Sequence, residues 1–145
     1  MRHRATLESI LSVLIVCLLA GLLHVLLRPK FALDANGKKY LLEIVTTDTE
    51  RSKGLGDREA MPANQGMLFV FEGVAVQCFW MKDMHFSIDI IWLDAEKRVV
   101  HIEKDVSPET YPRTFCPSKP AKYVIELNAG EASRASIRSG QKLSF

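Results

Sequence analysis

At 145 residues the chain is long enough for one ordinary domain and too short for two. Its 48% hydrophobic and 25% charged residues are a globular composition that excludes intrinsic disorder. Arg2, Arg4, Arg28 and Lys30 against Glu8 give residues 1–30 a balance of +3, which leaves residues 31–145 at −1 and without an electrostatic surface for nucleic acid.

Ile10 to Leu27 is an 18-residue run broken by Ser12, Gly21 and His24. As a helix it would measure roughly 27 Å, close to the hydrocarbon thickness of a bilayer. The run is longer than a signal-peptide core, and no small-x-small cleavage site follows it, so an uncleaved single-pass anchor is expected. Positive charges flank both ends and do not orient it. The short basic head resembles that of an export signal, which predicts the N-terminus inside and the domain periplasmic or extracellular, anchored in the cytoplasmic (inner) membrane. The organisation expected is a basic head at residues 1–9, an anchor at 10–27, a linker and first turn at 28–38, and a β domain at 39–145.

Phe31–Leu33 reads as a strand, Asn36-Gly37 as a hairpin turn, and Lys38 to Thr46 as a second strand. Thr47 and Glu50 have capping-box spacing, which predicts a short helix ending near Gly54. Residues 56–66 read as loop, Gly66 to Phe71 as a buried strand, and Val76 to Met81 as another. Ile88 to Leu93 is apolar on both faces apart from Asp89, and Arg98–Glu103 follows it across a turn. Pro108, Pro112, Pro117 and Pro120 leave no room for a long element between residues 104 and 120. A strand from Tyr123 to Asn128, a short helix from Glu131 to Ile137 and a last strand from Lys142 to Phe145 close the chain. About seven short strands joined by tight turns predict a mainly β fold. The expected form is a small β-sandwich or partly closed barrel with one or two short helices, preceded by the N-terminal transmembrane helix.

The order Thr49-Glu50-Arg51, Gly54-Leu55, Arg58, Gly66-Met67-Leu68-Phe69-Val70-Phe71, Phe79-Trp80-Met81-Lys82, Ile88-Asp89-Ile90, Tyr123-Val124-Ile125-Glu126 and Ala129-Gly130 resembles the family called domain of unknown function 192. The resemblance covers about residues 40–145. It implies a small β-sandwich or barrel and, commonly, export or anchoring, and it carries no biochemical activity. Three features depart from the family pattern: Asp83-Met84-His85 stands where Asn-Thr is usual, Gly56 follows Gly54-Leu55 in place of Met, and only Cys116 matches a cysteine of the proline-rich loop.

Cys78 and Cys116 are either a disulfide, which persists outside the cytoplasm, or two buried thiols. A bridge would close a 39-residue loop and stabilise the domain by about 3–4 kcal/mol. Cys78, Met81, Met84 and His85 form a C-x2-M-x2-M-H cluster of the ligand types that select Cu(I), although a strand would send Cys78 and Met81 to opposite faces. Otherwise no cofactor is expected. Asp89 and Glu126 lie within apolar strands, where a carboxylate needs a partner such as Arg51 or Arg58. The alternative is an acid–base pair of the kind that hydrolysis of envelope glycan requires. His101, two residues before Glu103, reads as a solvated face. No phosphate loop, nucleophile elbow or zinc spacing is present. The reading these residues favour is a ligand-binding or partner-binding module of the envelope, or of a larger membrane complex. Its apolar groove would lie around Trp80, Phe86 and Trp92, with Arg58 and Glu126 as polar fixtures.

Overall fold

The structure is a computed structural model that describes residues 9–19 and 30–145. Residues 9–19 are helical (α1). No helix among the described residues is long and apolar enough to cross a membrane. This corrects the transmembrane helix expected over residues 10–27. Residues 20–27 of that run, with His24, lie outside the described residues.

The domain is built from β1 (Lys30–Ala35), β2 (Lys38–Val45), α2 (Asp48–Lys53), β3 (Gln65–Ala75), β4 (Phe79–Trp80), β5 (Ile88–Leu93), β6 (Val99–Val106), a 3-10 turn at Pro108–Thr110, β7 (Thr114–Phe115), β8 (Ala121–Asn128) and α3 (Glu131–Arg134). Six strands form one mixed sheet in the order β1-β2-β3-β8-β5-β6, and β4 and β7 pair separately as a short ribbon. The sandwich or barrel expectation is therefore corrected to a single six-stranded sheet covered on both faces by short elements. The physical reason lies in pairing between distant segments. The crossover through α2 sets β2 and β3 parallel, and β8 inserts between β3 and β5, an arrangement that local turn signals do not encode. The expected strand at Lys142–Phe145 is reduced to isolated bridges from Lys142 to Arg98 and from Ser144 to Asp34.

Local signals are realised where the chemistry is short-range. Asn36 (φ 55°) and Gly37 (φ 85°) turn β1 into β2 in the left-handed conformation that Asn-Gly supplies at low cost. Thr47 and Glu50 form the reciprocal capping box at the start of α2, the Glu50 amide donating to Thr47 Oγ1 at 3.3 Å and the Thr47 amide to Glu50 Oε2 at 3.2 Å.

Strand alternation sorts the core into two layers. Leu33, Leu42, Leu68, Ile91, Ile125 and Leu127 face α3 and the C-terminal segment, packing on Ala132, Ile137 and Leu143. Met67, Phe69, Ile90, Trp92 and Val124 face the other way and are covered by Leu55, Met81 and Phe115. Every residue of β5 is buried. Gly66 sits at the crowded centre of the sheet, where a Cβ would fall 2.6 Å from the Glu126 carbonyl oxygen and 2.7 and 2.8 Å from the Leu127 and Leu42 side chains. Gly66→Ala should cost about 2 kcal/mol by overpacking against backbone that cannot move aside. Chemical denaturation checks this, and a loss below a few tenths of a kcal/mol would show that β3 shifts freely.

Candidate functional site

The second face of the sheet holds a cavity of about 300 Å³ between α2, the β4–β7 ribbon and β8. The capping box fixes the start of α2, and its later turn presents Arg51, Ser52 and Lys53 to the cavity. The Arg51 guanidinium donates to the backbone carbonyls of Val70 (2.9 Å) and Thr46 and to the Asp48 carboxylate, and it lies 4.9 Å over the Phe71 ring. Two backbone acceptors hold its charge in place. Gly54, with φ +49°, ends the helix close against Phe69.

The opposite wall is the ribbon. Phe79 meets Phe69 edge to face at 4.8 Å and Trp92 at 5.9 Å, while Trp80 remains 51% exposed. Cys78 and Cys116 are joined by a disulfide (S–S 2.10 Å) beside the ribbon, and Cys78 lines the cavity. Both cysteines are solvent-exposed residues.

Among the described residues Glu126 is the one buried carboxyl that lines this cavity. It lies on β8 opposite Met67 of β3 and Ile90 of β5, two apolar neighbours. The residue is 5% exposed, and its Oε2 has no hydrogen-bond partner among the described residues. Burial pushes its pKa up to about 8, and the positive charge of Arg58 offsets that only in part. Arg58 itself is held by Glu43, whose carboxylate accepts two bonds at 2.9 and 2.8 Å and keeps the guanidinium above its ordinary value. At neutral pH Glu126 is therefore a protonated carboxylic acid, able to donate from Oε.

The other residues singled out in the sequence fall elsewhere. Asp89 is directly opposite Leu127, so it occupies the face of the sheet away from Glu126. Its two oxygens accept from the amides of Asp105 (2.9 Å) and Ala132 (2.8 Å), tying β6 and α3 to β5. The Asp89–Glu126 acid–base pair is thus corrected: an intervening sheet separates the two groups. Trp92 is fully buried and donates from Nε1 to the Gln77 carbonyl at 2.7 Å, so it is core and not groove. Phe86 packs against that same core, and neither it nor Arg58 lines the cavity. The soft-metal cluster is also divided. The Cys78 sulfur is bonded to Cys116, Met81 is buried in the core, Met84 lines the cavity, and His85 turns toward Glu59 at 3.5 Å. Among the described residues no group of three or more His, Cys, Asp or Glu side chains is placed to hold a metal ion. His101 lies against Trp92 at 5.4 Å, with Nε2 3.1 Å from Glu103.

Sequence reasoning offered Arg51 only as a partner for a buried carboxylate and missed Lys53, Lys82 and the aromatic wall of Phe69 and Phe79. One signal was available: the capping box and Gly54 together fix which turn of α2 points Arg51 inward.

The fold has close counterparts. A Sinorhizobium meliloti protein provisionally described as a transcription regulator superposes with TM-score 0.74 at 24% identity, covering 81% of this chain and 94% of that one, and at that identity it speaks for the fold alone. A Novosphingobium aromaticivorans protein of unknown function superposes with TM-score 0.73 at 25% identity, covering 81% and 85%. A UPF0127 protein of Thermococcus kodakarensis is 28% identical over 114 residues, 77% of this chain and 70% of the relative. The sequence profile of DUF192, described as Uncharacterized ACR, COG1430, matches residues 31–145, the part of the chain that carries the Gly66–Phe71 and Phe79–Lys82 motifs, and the protein belongs to that family.

Proposed function

We propose that the domain binds a small organic molecule in the cavity at Glu126 and does so outside the reducing cytoplasm. One observation carries the binding reading: Glu126 is a buried carboxyl at a cavity surface with an oxygen that no group among the described residues satisfies. Burying such a group without a partner costs about 1–3 kcal/mol, and a ligand atom in the cavity would supply the missing bond. A titratable group displaced from its usual range by burial in a cleft is a candidate functional group on physical grounds. The exposed Cys78–Cys116 disulfide supports the compartment, since such bonds are reduced in the cytosol. The −1 balance of residues 31–145 favours a small-molecule partner over nucleic acid.

The test is a small-molecule screen on the full chain, read from the indole signal of Trp80. Half exposed, Trp80 contributes little to the core, so Trp80→Ala should leave the melting temperature nearly unchanged. It should weaken a bound compound about tenfold, the effect of one aromatic wall, with affinity measured by titration calorimetry because the variant lacks the reporting indole. A screen in which no compound moves the Trp80 signal would overturn the reading.

A further inference from the structure

We infer that the cavity selects a small aromatic acid whose ring carries a hydrogen-bond acceptor opposite its anionic group: the acceptor meets Glu126, and the anion lies at the basic rim of Arg51, Lys53 and Lys82. This rests on the binding reading above and names the ligand class. Three features of the cavity support it. Its volume, about 300 Å³, equals the liquid volume of about ten waters and holds a single-ring compound. Its walls include Phe69, Phe79 and Trp80, which offer ring faces and edges.

Its polar groups are also asymmetric. Among the described residues three cations line it against the exposed carboxylate of Asp48, 96% accessible at its side chain. Arg51 is pinned by two backbone carbonyls, and Lys53 shares its charge with the exposed Asp57. Away from that rim the buried polar group is Glu126. The groups facing it are apolar from β3 (Met67) and β5 (Ile90). Arg58, itself neutralised by Glu43 of β2, is the charge that acts on it from the side. With its proton on, Glu126 donates to a ligand oxygen, and an anion placed directly against it would be repelled once that proton is lost.

The experiment titrates the full chain with three matched probes, following the Trp80 indole signal. They are 4-acetylbenzoate, 4-isopropylbenzoate (no acceptor) and 4-(aminomethyl)acetophenone (cation in place of the acid). The expected result is that 4-acetylbenzoate binds at least tenfold tighter than either analogue and that Lys82→Gln weakens it several-fold. Glu126→Gln should retain binding, because an amide N–H donates as the acid does, whereas Glu126→Leu should lose it. Wild-type affinity should fall as pH rises through about 8, approaching tenfold per unit above it, and the Gln variant should show no such fall.

Tightest binding by the aminomethyl probe, abolished in Glu126→Gln, would overturn the inference and leave the cavity as a cation site. Equal binding of the acetyl and isopropyl acids, or unchanged affinity in Glu126→Leu, would also overturn it. An unmoved Trp80 signal with all three probes at millimolar concentration would overturn it together with the binding reading.

Discussion

Glu126→Gln should make the protein more stable at neutral and alkaline pH, by on the order of 3 kcal/mol at pH 7. In the folded state burial pushes the Glu126 carboxyl to about 8, against an ordinary value of 4.5. Between those values the native state keeps a proton that the unfolded chain releases. The Glu126 contribution to stability is therefore lost as pH rises from 4.5 to 8, and that contribution is constant on either side of the window. Glutamine has no proton to lose, so the two proteins should be equally stable at pH 4 and diverge through the window. Urea denaturation of both at several pH values checks this. A variant less stable than wild type at pH 8 would mean that Glu126 is an ionised structural partner of Arg58. A gain in stability from removing a buried group is the signature expected of a residue kept for binding.

Replacing Cys78 and Cys116 together by serine should cost about 3–4 kcal/mol, the chain entropy of a loop whose ends are 38 positions apart. For a domain of this size that lowers the melting temperature on the order of 10 °C. The loss should be concentrated at the cavity. The β4–β7 ribbon has two residues on each side, too few for a stable hairpin, so the disulfide and the Phe79–Phe69 contact hold the wall that carries Trp80. Amide exchange at Phe79 and Trp80 should accelerate in the double serine variant more than exchange in β5. An unchanged melting temperature under reducing and oxidising conditions would show that aromatic packing alone holds the ribbon.

Much of the local structure was legible because its causes lie within a few residues. The Asn36-Gly37 turn needs two left-handed residues, and the side chains of Thr47 and Glu50 reach each other's amides within one helical turn. The apolar character of both faces of Ile88–Leu93 predicts a strand largely buried on both faces, and β5 is buried along its whole length. The candidate site was less legible. Glu126 was among the residues named in advance, but so was Asp89, and composition gave both the same standing. Register separated them: Asp89 lies opposite Leu127 and satisfies two amides, whereas Glu126 lines the cavity and its Oε2 has no partner among the described residues. Trp92 and Trp80 divide in the same way, one in the core and the other at the rim.

By itself the sequence determined the family, the mainly β character, the first hairpin, the capped helix and a near-neutral domain, all properties of composition, motif order or neighbouring residues. Tertiary structure alone decided that the strands form one mixed sheet, that β8 lies between β3 and β5, and that the Asp89 and Glu126 carboxyls are separated by that sheet. It also joined Cys78 to Cys116 and placed Arg51 of α2 and Trp80 at the same cavity. Each of these depends on contacts between segments far apart in the chain, where a shift of one residue in register exchanges the two faces and leaves the local pattern unchanged.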